Sequence, residues 1–83
     1  MCKRIKCTDE DVAQIVAISE FWGEYNVKNS DPVILEDDGF IKWTTISIGS
    51  NVLRELYTEG FHFSIGASGM KSGFITIYFS RWE

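Results

Sequence analysis

The chain is short of several things, and each shortage removes a class of protein. It has one proline in 83 residues, Pro32, and no low-complexity run. Disordered segments are poor in apolar and aromatic residues; this chain is 45% hydrophobic and 14% aromatic, so a packed core is expected. No apolar stretch nears the ~20 residues that a membrane-spanning helix needs, and no signal-peptide pattern opens the chain. A soluble cytoplasmic domain with no membrane partner is therefore expected.

Histidine occurs once, as His62, and cysteine twice, as Cys2 and Cys7. Zinc sites draw on four such ligands in recognisable spacings, so no metal ligands are expected. On an extended segment the odd interval from Cys2 to Cys7 points the two side chains to opposite faces. Free thiols are expected, and replacing both with serine should leave the fold nearly intact.

Basic charge is also scarce. Lys and Arg number 8 against 12 Asp and Glu, for a net charge of −4. A duplex DNA binder normally carries a basic footprint, so nucleic acid is disfavoured. The charges cluster: Lys3, Arg4 and Lys6 form a small basic arm, while Asp9-Glu10-Asp11 and Glu36-Asp37-Asp38 are acidic. The first acidic run suits a helix N-terminus through the helix dipole, and the second suits a turn. Either can also face a basic partner surface.

Catalytic constellations are missing too. A nucleophile, a base and an orienting group must converge, and nothing in the spacing of His62, Cys2 and Cys7 brings them together. Asp37 and Asp38 are adjacent and cannot bracket a substrate. The segment from Gly66 to Gly73 resembles a phosphate loop only in its Lys71-Ser72; no glycine precedes Lys71, and the segment joins two strands rather than a strand and a helix. Lys71 at its tip is still placed to touch an anion. No catalytic residue, cofactor or enzyme activity is expected.

What is present reads as alternating elements. Eighty-three residues imply a single compact domain, 1–83. A chain of this size buries only about 60–65% of its unfolded surface, so its core must be efficient. Residues 2–7 alternate weakly, as a short first strand would. Thr8 followed by Asp11 is close to a capping box, opening a helix to about Tyr25. Val12, Ile15, Val16, Ser19 and Trp22 form its stripe, and Ile18, Phe21 and Tyr25 form a second apolar face. Val33 to Glu36 is a short strand after Pro32, and Asp38-Gly39 a hairpin turn. Phe40 to Ile48 is a strand whose parity shifts midway, which a β-bulge near Thr44-Thr45 would reconcile. Ser50 caps a second helix to Glu59, with Val52, Leu53, Leu56 and Tyr57 as its stripe and Gly60 just past its end.

The C-terminal end is the most informative region. Phe61-His62-Phe63-Ser64-Ile65 and Phe74 to Phe79 are strands with period-2 alternation. Ile65, Ile75, Ile77 and Phe79 are expected in the core with Val16, Leu53 and Leu56. Phe74, Thr76, Tyr78, Ser80 and Trp82 share the opposite, amphipathic face.

The order is thus (β)αββαββ, an α+β fold with one antiparallel β-sheet and two helices packed on one face. With the first strand counted, the first six elements match the split-βαβ, ferredoxin-like arrangement. The expected function is that of a small acidic protein-binding domain. Its binding residues are Tyr78, Trp82, Phe74, Asp37, Asp38 and Phe21, since Tyr and Trp are favoured interface anchors. The partner is a protein with a basic surface, or a second copy of the chain. A specific form is a phage-type inhibitor that blocks a host nucleic-acid-handling complex, because acidic clusters can occupy a groove meant for phosphate. The alternative is a single-stranded nucleic-acid binder that stacks bases on the aromatic face, with His62, Lys42 and Trp43 added.

Overall fold

The computed structural model describes residues 3–25, 30–67 and 73–82. Cys2, Lys71 and the rest of the 68–72 loop lie outside the described residues. In chain order the elements are β1 (Arg4–Ile5), α1 (Asp9–Phe21), β2 (Ile34–Leu35), β3 (Ile41–Thr45), α2 (Ser50–Thr58), β4 (Phe61–Ala67) and β5 (Ile75–Trp82).

Local chemistry sets both ends of α1. The Thr8 side chain accepts from the Asp11 N–H, and the Asp11 carboxylate accepts from the Thr8 N–H at 2.9 Å, closing the capping box. Asp9, Glu10 and Asp11 add negative charge where the helix dipole favours it. The helix stops at Phe21, four residues short of Tyr25. Gly23 takes φ +70° there; its N–H donates to the Glu20 carbonyl, and the Glu24 N–H donates to Ser19. These are the paired bonds of a Schellman stop, which needs a left-handed residue and so favours glycine. Gly60 ends α2 in the same conformation, at φ +98°. The start of α2 differs from expectation: Gly49 is the cap, without a side-chain bond, and Ser50 is the first helical residue.

All the ladders are antiparallel. β5 is central: one edge pairs with β4, and the other with β3 (Ile41↔Phe79 to Thr45↔Ile75) and then with β1 (Ile5↔Arg81, Arg4↔Trp82). β1 and β3 therefore lie end to end along the same edge of β5, and β2 pairs with β3 beyond. This topology supports the α+β class and does not confirm the ferredoxin-like order. The β3–β5 register runs unbroken from residue 41 to residue 45, so no bulge is needed. The parity shift has a simpler cause: the strand ends at Thr45. Ile46 is exposed, and Ile48 packs on the core from the following loop.

The core lies between one sheet face and both helices. It joins Ile15 and Ile18 of α1, Val52 and Leu56 of α2, and Ile41, Trp43, Phe61, Ile77 and Phe79 of the sheet. Cys7 is also buried there, as a free thiol. Serine at that position would bury a hydroxyl among apolar groups, so a small loss of stability is expected of Cys7→Ser. Of the other expected core residues, Ile75 packs at the margin, while Val16 and Leu53 are half-buried. Ile65 is 49% exposed, because α2 covers only the Phe61 end of β4. Tyr25 is not a surface residue of α1: it follows the helix and lays its ring on Trp43 at 5.9 Å. Trp43, expected on the aromatic face, is fully buried. Its indole N–H is the only buried side-chain polar atom without a partner among the described residues.

Arg81 ties the layers together. It lies on the core-side face of β5, where sequence parity alone would place another apolar residue. Its Nε donates to Asp11 at 2.7 Å, and its terminal nitrogens to the Glu59 carbonyl and to Gln14. Its guanidinium stacks 4.1 Å over the Phe61 ring. One side chain thus joins β5 to the start of α1 and the end of α2, using charge-assisted bonds that exceed ordinary hydrogen bonds.

Candidate interaction surface

The opposite face of β5 carries Thr76, Tyr78, Ser80 and Trp82. Both helices pack on the core side, and no described element lies over the Tyr78–Trp82 part. Tyr78 is 40% exposed and Trp82 43% exposed. They stand four residues apart, about 13 Å along the strand. The Trp82 indole N–H donates to Ser80 Oγ at 3.1 Å, which fixes the ring on the sheet. His62 of β4 sits beside it at 6.1 Å between ring centres, and the Tyr57 ring of α2 meets His62 at 5.9 Å.

Each exposed aromatic has a cation as its direct cross-strand neighbour. Lys42 pairs with Tyr78 and Arg4 with Trp82. The Arg4 guanidinium lies 4.4 Å over the Phe40 ring and donates to the Asp38 carbonyl at 3.0 Å. This places the Asp37-Asp38 turn at the Trp82 end of the face. Both aspartates are exposed; Asp38 also accepts from the Phe40 N–H, which holds the turn. Gly39 completes it at φ +90°, with Lys6 so close that a Cβ would meet the Lys6 backbone at 2.9 Å.

The other expected residues are placed differently. Phe74 precedes β5 at the far end and is half-buried. Close by, Thr44 and Thr76 are buried with their hydroxyls 3.1 Å apart, so that end is a closed polar contact rather than open surface. Phe21 is not part of this face. It ends α1 in the helix layer, 78% exposed and edge-on to Trp22 at 5.5 Å. Trp22 in turn donates from its indole nitrogen to Glu55 at 3.0 Å. The molecule thus has two aromatic surfaces: on the sheet face a cation pairs across from each of Tyr78 and Trp82, and at the helix end Trp22 bonds to the Glu55 carboxylate.

Sequence reasoning missed the pairing of Arg4 with Trp82, because a two-residue strand has no periodicity to detect. Cys7 shows no sign of activation: burial pushes its thiol up, and the neighbouring Asp11 charge pushes in the same direction. Among the described residues no cluster of metal-ligating side chains forms, and no helix is long and apolar enough to cross a membrane. The chain matches no protein-family model, no curated protein and no solved structure.

Proposed function

We propose that this chain is a non-enzymatic protein-binding domain whose partner docks on the open half of the sheet. The supporting observation is the exposure of Tyr78 and Trp82 on a strand whose other face buries Ile77 and Phe79 completely. Aromatic anchors on a rigid sheet bury large area at little entropic cost, which is what interface hot spots need. Asp37 and Asp38, at the Trp82 end, meet basic groups of the partner and act mainly on association rate. In its specific form the partner is the basic groove of a host nucleic-acid-handling complex, and the chain is a phage-type inhibitor seated in it. Phe21 belongs to a separate contact.

A second reading rests on the cation beside each aromatic. Lys42 with Tyr78 and Arg4 with Trp82 make a small platform on which single-stranded bases can stack while the cations meet phosphates. Four variants of one surface separate the readings. Tyr78→Ala and Trp82→Ala should each weaken a protein partner by about 2 kcal/mol or more. Asp37→Lys with Asp38→Lys should slow association at low salt and matter less at high salt. Recovery of the same partners with all four residues changed sinks the proposal. Tight, salt-sensitive retention of the wild-type chain on single-stranded oligonucleotide moves the second reading to first place.

A further inference from the structure

Among the described residues the sheet has two very unequal edges. β2 is two residues long, whereas β4 offers seven consecutive residues, Phe61–Ala67, in an unbroken ladder with β5. An unpaired strand edge is a template for another strand, and proteins usually block it with lysine, proline, an inward charge or a bulge. The sequence Phe61-His62-Phe63-Ser64-Ile65-Gly66-Ala67 contains no Lys, Arg, Asp, Glu or Pro. It is also the place where large apolar side chains remain open on the core side of the sheet, with Phe63 37% and Ile65 49% exposed.

We infer that β4 is the interface of a two-fold homodimer, pairing antiparallel with β4 of a second copy about Ser64. The inference is independent of the sheet-face reading above. A two-fold pair centred on Ser64 sets Phe63 opposite Ile65 of the second copy, and Ile65 opposite its Phe63. Directly opposed side chains on one face lie about 5 Å apart between Cβ atoms, so the four exposed apolar groups close into one cluster. His62 falls opposite Gly66 of the second copy. A Cβ built on Gly66 meets nothing within 4 Å, so there is open space to receive the imidazole and the adjoining Tyr57 ring. Every pair is self-complementary, as a two-fold interface requires.

Charge at the strand itself does not oppose this occupant. Each copy carries a net −4, yet the edge itself brings no carboxylate against its symmetry mate. The paired strip is about 23 Å long and one sheet thickness, ~10 Å, deep, a small interface beside those of stable complexes. A reversible, concentration-dependent dimer follows, with one ten-stranded sheet and the two Tyr78–Trp82 faces side by side.

Sedimentation equilibrium of the full chain from low micromolar to millimolar concentration tests this. The mass should rise from the 9.5 kDa monomer toward twice that value. Ile65→Lys should hold the monomer at every concentration with an unchanged melting temperature. Register is read by cross-linking in a Cys2→Ser background: Ser64→Cys should oxidise to a linked dimer, and His62→Cys should not, since each His62 faces the second copy's Gly66. Monomer mass throughout overturns the inference. So does a dimer that survives Ile65→Lys, equal cross-linking of the two cysteine variants, or an edge that takes up a foreign extended peptide without self-association.

Discussion

The two faces of β5 are made of similar residues and behave in opposite ways. Ile77 and Phe79 have no exposed surface, while Tyr78 and Trp82, alternating with them on the same strand, are two-fifths open. What differs is the covering. α1 and α2 both pack on one side, and their Ile15, Ile18, Val52 and Leu56 fill the space above Ile77 and Phe79. The same lesson repeats along β4. Phe61 and Ile65 point to the same side of the sheet, yet Phe61 is fully buried and Ile65 half-exposed. Alternation tells which residues share a face; only the position and length of the helices tells how far that face is covered.

The largest loss is expected on the packed side. Phe79→Ala should cost about 3–5 kcal/mol in urea denaturation, the range for truncating a buried aromatic. Tyr78→Ala, one residue away, should cost no more than about 1 kcal/mol, as surface substitutions usually do. Equal losses would mean that the open face is covered. Asp11→Ala comes next. It removes half of a capping box and leaves the partly buried Arg81 guanidinium without its carboxylate, and a loss of about 2–3 kcal/mol is expected from those two terms. Thermal melts that place Asp11→Ala level with the wild type would show that Arg81 holds the layers through the Glu59 carbonyl and Gln14 alone. Cys7→Ser sharpens the comparison at its margin: burying a hydroxyl among apolar groups should cost about 1 kcal/mol or slightly more, whereas an exposed thiol would tolerate the change without loss.

Much of the fold was legible because its signals are local. The capping box at Thr8, the stop at Gly60, the Asp38-Gly39 turn and the alternation of the last two strands each depend on residues within a few positions of one another. The errors share the opposite cause. Ile46 and Ile48 seemed to demand a bulge because sequence alone does not show where β5 stops pairing with β3. Tyr25 looked like part of a helical face because Gly23 separates it from α1 by one unusual backbone angle. Trp43 looked available for binding because nothing local says that the core and the Tyr25 ring close over it. Within the candidate surface, Tyr78, Trp82 and the Asp37-Asp38 turn were legible from alternation and turn chemistry. Phe21 was singled out by helical spacing, as part of a second apolar face of α1, and it lies in the other layer.

Local sequence set the number and kind of elements, the capping box that starts α1, the glycine that stops α2, and which side chains of each strand travel together, since all of these follow from steric and hydrogen-bonding preferences over one or two turns of chain. Tertiary structure alone decided that β1 falls in line with β3, that Arg81 reaches Asp11 seventy residues away, and that Arg4 and Lys42 stand beside Trp82 and Tyr78. Those contacts join residues far apart in the chain, and they arise only once the burial of a shared core has brought the strands to a single register.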